Sequence, residues 1–123
     1  MFIKQPFDEF LGFEYERTGD GKVAVTLQVK PLHINSAGVV HGGVISTLAD
    51  VALSNTMEPD GDGVQKSVTV DLNVTFLKGA RSDRLTAFAE VIKAGKALTH
   101  ADCRIEDESG TLIAKAKGVF FNR

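Results

Sequence analysis

The 123-residue chain has little of several features that mark particular classes of protein. It has one cysteine, Cys103, and no tryptophan. A single cysteine cannot form an internal disulfide, so the fold cannot depend on an oxidising compartment. No apolar run approaches the roughly 18 residues that a transmembrane helix needs. A disulfide-stapled domain and a helical membrane protein are therefore not expected.

Charge of one sign is not concentrated either. The chain has 14 Lys and Arg against 16 Asp and Glu, a formal net charge of -2, and its basic residues form no run. Nucleic-acid binding usually leaves a basic patch, so we expect no nucleic-acid partner. Acidic residues lie within the first ten positions, unlike the basic start of a secretory signal peptide. We therefore expect a cytoplasmic protein.

The residues needed for two common kinds of site are also missing. The three histidines and one cysteine are dispersed and show no metal-ligand spacing, so neither a metal nor another cofactor is expected. No GxSxG motif occurs, which argues against a serine hydrolase of the nucleophile-elbow type.

What the sequence does contain is alternation of apolar and polar residues, which predicts several strands and a single long helix. Residues 22–29 place Val23, Val25, Leu27 and Val29 on one face. Further strands are predicted over residues 67–77, 84–93, 97–106 and 111–121. Residues 6–16 are predicted to form a short helix or turn, residues 30–41 a loop, residues 44–57 the long helix and residues 58–63 a turn.

This order of elements predicts the fold class. Consecutive strands joined by short turns favour an antiparallel sheet. One helix cannot cover a parallel βαβ array, so we expect an α+β fold with the sheet wrapped around the long helix. The length and the lack of a linker predict a single domain over residues 1–123.

The predicted helix carries an unusual polar stripe. Ser46, Asp50 and Ser54 follow i, i+4, i+8 spacing beside Thr47, and the stripe contains no long charged side chain. Helix faces in solvent normally carry Lys, Arg, Glu or Gln. The stripe is therefore expected to face a cleft or a second subunit. The alternative is a buried helix in which Asp50 makes a structural hydrogen bond.

The strand over residues 67–77 has a similar division. Its apolar face is predicted to consist of Val68, Val70, Leu72, Val74 and Phe76. Its other face consists of short polar residues: Ser67, Thr69, Asp71, Asn73 and Thr75. Short side chains allow a ligand or a partner to approach closely, although a solvent face rich in β-formers would look the same.

The beginning of the helix has chemistry of its own. Gly42 and Gly43 let other groups approach the backbone, and the first helical turn has free N–H groups and a partial positive charge. Such a terminus can stabilise an oxygen that gains negative charge. Asp50 lies about 12 Å further along the axis at 1.5 Å per residue. A symmetric dimer could bring the glycine end of one copy to Asp50 of the other.

The motif HINSAGVVHGGVISTLAD over residues 33–50 resembles the hot-dog-fold acyl-CoA thioesterases, specifically the phenylacetate-degradation (PaaI-like) branch. The shared features are Asn35, the His41-Gly42-Gly43 triplet and Leu48-Ala49-Asp50. The likeness continues through residues 68–105 and includes PFDEFLGFE near the N-terminus. It implies a curved antiparallel sheet around a central helix, and active sites at a dimer interface.

The resemblance also implies a role for each matching residue. Asp50 is expected to act as nucleophile or general base, and the Gly42 N–H from the other subunit to polarise the thioester carbonyl. Asn35 is expected to hold the carbonyl or a water, unless it only bonds its own loop, and His41 to orient that loop. Thr69 is expected to position water, unless it is only a strand residue. His33 and His100 are predicted to be non-catalytic, and Cys103 to be a core residue.

The expected substrate is an aryl- or fatty-acyl-CoA, and the expected assembly is a homodimer that pairs further into a homotetramer. Candidates for contact with the CoA nucleotide are Arg81, Arg84, Lys93 and Lys96. Two other functions remain open on this fold: a non-catalytic acyl-CoA binder or sensor, and an enoyl-thioester hydratase.

Overall fold

A six-stranded antiparallel sheet wraps around one helix in the computed structural model, which describes residues 1–123. The elements are α1 (Pro6–Leu11), β1 (Phe13–Gly19), β2 (Lys22–Gln28), a 3₁₀ turn (Pro31–His33), α2 (Gly42–Ser54), β3 (Ser67–Phe76), β4 (Arg84–Ala94), β5 (Leu98–Asp107) and β6 (Leu112–Asn122). The strand order is β1-β2-β4-β5-β6-β3, so β1 and β3 are the edges. The predicted α+β class is confirmed. None of the helices combines the length and apolar character needed to cross a lipid bilayer.

Helix α2 is central because its apolar face is wide. Ile45, Leu48, Ala49, Ala52 and Leu53 are all buried, and α2 packs against strands β2 to β6. The inward residues of those strands complete the core, including Leu27, Leu85, Ile105 and Phe120. Leucine and isoleucine side chains each contribute about 1.5–3 kcal/mol when fully buried, so this interface dominates folding.

The helix begins two residues earlier than predicted. The prediction placed it over residues 44–57, whereas it runs from Gly42 to Ser54. The His41 Nδ1 atom accepts a hydrogen bond from the Gly43 N–H at 2.9 Å and so caps the first turn. At the other end Asn55 leaves the helix, and its amide donates back to the Val51 carbonyl at 2.9 Å.

The sheet has one strand more than predicted. Residues 6–16 were expected to form a helix or turn, but Gly12, with φ of 91°, ends α1, and residue 13 begins β1. Gly12 adopts this left-handed backbone without steric cost. Phe13, Tyr15 and Arg17 then point inward, antiparallel to β2. The aromatic density of this segment hid the alternation in the sequence.

A β-bulge corrects the predicted faces of β3. In the pairing with β6, the register shifts between Thr69 and Asp71, so Val70 is an extra residue. Thr69 therefore lies on the same side as Leu72 and Val74, toward α2. Val68 and Val70, which were predicted to be core residues, are 41% and 58% exposed on the outer face.

Candidate active site

Asp50 and Thr69 form the chemical centre of the inner face. Asp50 is half-buried on α2, and the Thr69 hydroxyl donates to its Oδ1 atom at 2.8 Å. The bulge in β3 makes this contact possible, since strict alternation would point Thr69 outward. No other group in the chain donates to Asp50, so its Oδ2 atom is free to act on a ligand or a water.

The surroundings of Asp50 make its carboxylate more basic than usual. Burial raises its pKa first, the Thr69 hydrogen bond lowers it, and the charge of Asp8 raises it. The net direction is upward from 3.8. At neutral pH a carboxylate of this kind is an ionised base that binds a proton more readily than an exposed aspartate.

A cavity of about 250 Å³ opens beside Asp50 between α2 and the N-terminal segment. It is lined by Ile3, Gln5, Phe7, Asp8, Asp50, Val51, Ser54, Asn55 and Gln65. The segment is held in place because the Ile3 N–H donates to the Asn55 Oδ1 atom at 2.7 Å. The cavity wall therefore comes from residues that are distant in sequence.

The N-terminus of α2 has a free donor. The Gly42 N–H has no acceptor in the chain, whereas the Val44 and Ile45 N–H groups both reach the His41 carbonyl. The ring of Phe76 lies beside Gly42, so that a Cβ on residue 42 would lie 3.4 Å from it. This terminus can polarise a carbonyl oxygen.

His41 and Asn35 shape the backbone around that donor. The His41 imidazole is exposed and engaged as the helix cap, and the His41 N–H donates to the His33 carbonyl at 2.8 Å. The Asn35 Oδ1 atom accepts from the Ala37 and Val39 N–H groups at 3.0 and 3.2 Å. The loop turn thus occupies the Asn35 carbonyl oxygen, while the side-chain NH2 group stays available as a donor.

Asn35 and Gly42 share a second cavity, of about 330 Å³. Its wall also includes Phe76 and Lys78. A single chain therefore brings the predicted residues together as two separate groups. One group contains Asp50 and Thr69, and the other contains Asn35, His41 and Gly42.

The candidate CoA contacts are divided as well. Arg81 lies by the loop, where its guanidinium donates to the Gly38 carbonyl at 3.3 Å. Arg84 begins β4 beside Gln28, whereas Lys93 lies near the opposite end of the same strand, opposite His100. Nine residues of strand separate Arg84 from Lys93, about 30 Å at 3.3 Å per residue. Together with Lys96, these four residues cannot form one patch within a chain.

Two residues beside the site carried no signal in the sequence. Asp8 is the second carboxylate in the Asp50 cavity, and Lys78 is the cation in the Gly42 cavity. Asp8 lies 42 positions before Asp50, so only the packing of α1 relates the two. Lys78 lies in the connection between β3 and β4, which is held to the loop before α2 because the Val40 N–H donates to the Ala80 carbonyl at 2.9 Å.

Other recesses lie on the outer face of the sheet. Those of about 480 and 280 Å³ are open and mainly polar, and both include Phe88. Of the predicted residues, only Arg84 contributes to them. They lack a held carboxylate and a free backbone donor, so their size does not make them candidates for the reaction site.

The residues expected to be uninvolved lie away from these groups. His33 is buried, with its Nε2 atom 2.9 Å from the Leu11 carbonyl and its Nδ1 atom accepting from the Lys30 N–H at 2.9 Å. His100 is on the outer face. Cys103 is a core residue as predicted, and burial raises the pKa of its thiol to about 12.

A curved antiparallel sheet wrapped around one main helix is the hot-dog fold. Residues 37–114 match the model of the Thioesterase superfamily, and the chain belongs to that family. The family and the names of relatives confirm the predicted enzyme class, and PaaI proteins are among the solved structures that are similar in fold.

Relatives of known sequence extend over almost the whole chain. Protein PA0474 of Pseudomonas aeruginosa, a proposed esterase, is 34% identical over 98% of this chain and 90% of its own length. The medium/long-chain acyl-CoA thioesterase YigI of Escherichia coli is 26% identical over 98% of this chain and 88% of its own length.

Solved structures agree in fold. The E. coli PaaI protein of the phenylacetic acid degradation operon superposes with a TM-score of 0.86 at 24% identity, over 98% of this chain and 86% of that one. A thioesterase of Streptococcus pneumoniae, solved with coenzyme A, superposes with a TM-score of 0.79 at 28% identity, over 91% and 86%.

Proposed function

We propose that this chain hydrolyses an acyl-CoA thioester, aryl or fatty, to the free acid and CoA, and that Asp50 is the reacting carboxylate. The observation that carries the proposal is the hydrogen bond from Thr69 to Asp50, which holds one oxygen at 2.8 Å and leaves the other free. The names of the relatives, which include acyl-CoA thioesterases, support this substrate class.

Asp50 has two ways to act. As a general base, its free oxygen takes a proton from water while the water oxygen attacks the thioester carbonyl. The tetrahedral intermediate then breaks its C–S bond and releases the CoA thiolate, which takes up the proton. As a nucleophile, the same oxygen attacks the carbonyl, expels the CoA thiolate and leaves an anhydride that water then hydrolyses. Both ways need an ionised carboxylate with a fixed orientation, which Thr69 provides.

The Gly42 N–H is the proposed donor to the carbonyl oxygen. It is unpartnered at the positive end of α2, so it can donate a hydrogen bond to the carbonyl oxygen, which gains negative charge when the carbonyl is attacked. Asn35 is the proposed second donor, through its side-chain NH2 group. His41 acts indirectly, because its cap fixes the first turn of the helix.

Two copies are needed to unite these groups, and β3 suggests how. Thr69 lies near one end of β3 beside Asp50, and Phe76 lies at the other end beside Gly42. A twofold axis through the middle of this edge strand would pair β3 with its symmetry mate and place Thr69 of one copy next to Phe76 of the other. Asp50 would then face Gly42 of the second copy.

A row of apolar residues on the outer face supports the further pairing into a homotetramer. Phe121 pairs with Leu98 on one side and with Val68 on the other, and these three are 47%, 41% and 41% exposed. Contiguous exposed apolar residues of this kind usually mark an interface. The mass measured by light scattering distinguishes the dimer from the tetramer.

Contacts to the CoA moiety are proposed around the Gly42 cavity. Lys78 lines that cavity and Arg81 lies next to its loop, so both can meet phosphate as the pantetheine arm enters. Arg84 lies on the outer recess, while Lys93 and Lys96 lie at the far end of the sheet. Those three remain weaker candidates, which only a neighbouring copy could bring near the site.

The test uses a panel of aryl- and fatty-acyl-CoA substrates with a thiol-detecting dye. Wild-type protein should release CoA, and Asp50→Asn and Asp50→Ala should lower kcat by about 100-fold or more. Full activity in both variants would refute the role of Asp50. Release of no CoA from any member of the panel would refute the substrate class.

Gly42→Pro tests the backbone donor. Proline fits the first helical position and removes only the N–H there, and His41, with ψ of 134°, already has the extended backbone that a following proline requires. We expect a loss of about 100-fold or more in kcat. The matched control is Gly42→Ala, which keeps the N–H and places its Cβ at an ordinary contact distance of 3.4 Å from Phe76. Equal activity of the two variants would exclude the donor.

A further inference from the structure

Asp8 is an acidic residue that the proposed reaction does not yet use, although it lines the same cavity as Asp50. It lies in the first turn of α1, and its Oδ2 atom accepts the Gln5 N–H at 3.2 Å. That bond explains a role in capping α1. It does not explain why a carboxylate at this position faces a second carboxylate.

No cationic side chain lines the cavity between them. Apart from the two aspartates, its lining is neutral: Ile3, Gln5, Phe7, Val51, Ser54, Asn55 and Gln65. Two like charges that share a partly desolvated space without a counter-ion each oppose ionisation of the other. Like-charged pairs of this kind are concentrated at functional sites. They make the folded protein less stable, but they give its carboxylates the reactivity that a functional site needs.

Charged groups on the neighbouring elements do not neutralise the pair. The Lys4 Nζ atom lies 5.2 Å from the centre of the Tyr15 ring, and Arg17 pairs with Glu58 at 3.3 Å. Asp71 points to the outer face of β3. The remaining ionisable groups on α1, on the N-terminal segment and on the residues that follow α2 are Glu9, Asp60, Asp62, Lys66 and the chain N-terminus.

The charge of Asp8 affects ionisable groups on two other elements, α2 and β1. Burial raises the pKa of Asp50 on α2, and the charge of Asp8 raises it further against the effect of Thr69. The pKa of the Tyr15 phenol on β1 is raised by burial and then by Asp8 and Glu9. The pKa of Asp8 itself is raised, mainly by burial.

We propose that Asp8 is a positioning residue of the reaction site: its negative charge, facing Asp50 across one cavity, makes Asp50 a stronger base. The inference rests on the proposed function, because the stronger base matters only if Asp50 acts on water or on the thioester. A base whose pKa is closer to the working pH removes a proton more effectively, so the pair favours turnover near neutrality.

The decisive variant is Asp8→Asn, which removes the charge and keeps an oxygen that can accept the Gln5 N–H. The acid limb of the kcat/KM profile should move to lower pH by about half a unit, and kcat near pH 7 should fall about twofold. Glu9→Gln is the matched control, because Glu9 is the adjacent exposed acid on α1 and does not line the cavity. Its acid limb should stay at the wild-type position.

A titration by NMR separates this inference from the activity. The Asp50 carboxyl carbon, assigned by its loss in Asp50→Asn, should titrate at lower pH in Asp8→Asn than in wild-type protein or in Glu9→Gln. Asp8→Ser, whose hydroxyl can also cap α1, should behave like Asp8→Asn and replaces it if that variant does not fold. An unchanged titration in the Asp8 variants, or an equal shift in Glu9→Gln, would overturn the role of Asp8. If wild-type protein hydrolyses no acyl-CoA, the proposed function fails, and the NMR titration still decides whether Asp8 acts on Asp50.

Discussion

The hydroxyl of Thr69 has two effects on the Asp50 carboxylate. It fixes the position of Oδ1 at 2.8 Å, and it favours the ionised form and so lowers the pKa. Thr69 therefore lowers the pKa of Asp50, whereas burial and the charge of Asp8 raise it. Because these effects oppose one another, a single substitution can move the pKa of Asp50 in either direction.

Thr69→Val should raise the pKa of Asp50. The variant keeps the side-chain shape and removes the donor, so we expect the acid limb of kcat/KM to move to higher pH, opposite to Asp8→Asn. Loss of orientation should also lower kcat by about tenfold. The measurement is the pH profile of thioester hydrolysis. Thr69→Ser keeps the hydroxyl and should follow the wild-type profile; the prediction is wrong if Ser and Val behave alike.

Asp50 should also impose a pH dependence on stability. Its pKa is higher in the folded protein than the ordinary 3.8 expected when unfolded, so the folded state binds its proton more tightly. The penalty for ionised Asp50 is thus fully present above the folded pKa and is relieved as pH falls through it toward 3.8. Asp50→Asn should stabilise the protein at neutral pH by about 1 kcal/mol or less, given its partial exposure. Chemical denaturation between pH 4 and 8 measures the difference, which should shrink toward the acid end and is refuted if it grows there.

At the scale of elements, Gly118 of β6 lies close against the Leu53 side chain of α2. A Cβ there would lie 2.9 Å from the Phe120 ring and 3.2 Å from the Leu53 side chain. Real Cβ atoms do not tolerate 2.9 Å, and Phe120 is fully buried, so the ring has little room to yield. Glycine at this position lets the helix lie close to the strand.

Gly118→Ala should therefore destabilise the fold by about 1–3 kcal/mol through overpacking. Gly61→Ala is the control, because a Cβ at residue 61 meets nothing within 4 Å. Urea denaturation should show a lower midpoint for Gly118→Ala and a change of less than about 0.5 kcal/mol for Gly61→Ala. Equal midpoints would mean that Phe120 and Leu53 rearrange freely.

The bulge in β3 shows where element-level prediction failed. Period-two alternation placed Val68 and Val70 with the core and Thr69 outside. One extra residue reverses the facing of everything on one side of it, since side chains alternate at every position. The sequence has no glycine in this strand to signal the bulge. Pairing with β6 reveals it.

At the scale of the whole molecule, the proposed site requires two chains, because Gly42 and Asp50 are about 12 Å apart along one helix. This arrangement predicts that two inactive variants can complement each other. A heterodimer of Asp50→Asn and Gly42→Pro chains would contain one site with both defects and one intact site.

Mixing equal amounts of the two variants, after reversible dissociation, should restore about a quarter of wild-type activity, since half of the dimers are mixed and half of their sites are intact. The double variant Asp50→Asn/Gly42→Pro mixed with either single variant should restore none and is the control. Activity that stays at the level of the single variants would indicate that each site lies within one chain.

The sequence by itself determined the α+β class, the long helix with its wide apolar face, five strands of the sheet near their observed bounds, and Asp50 as the acid on a face without long side chains. These features follow from local periodicity, which can be seen within the sequence of a single helix or strand. Tertiary structure alone decided which strands are edges, that β1 exists as a sixth strand, that Thr69 faces Asp50, and that Asp8 and Asp50 share a cavity. The Thr69–Asp50 contact joins residues 19 positions apart, Asp8 and Asp50 are 42 positions apart, and the pairing of β3 with β6 joins residues at least 38 positions apart. No local pattern in the sequence reveals the register or packing that brings such distant residues together. Strand β1, by contrast, pairs with the neighbouring strand β2.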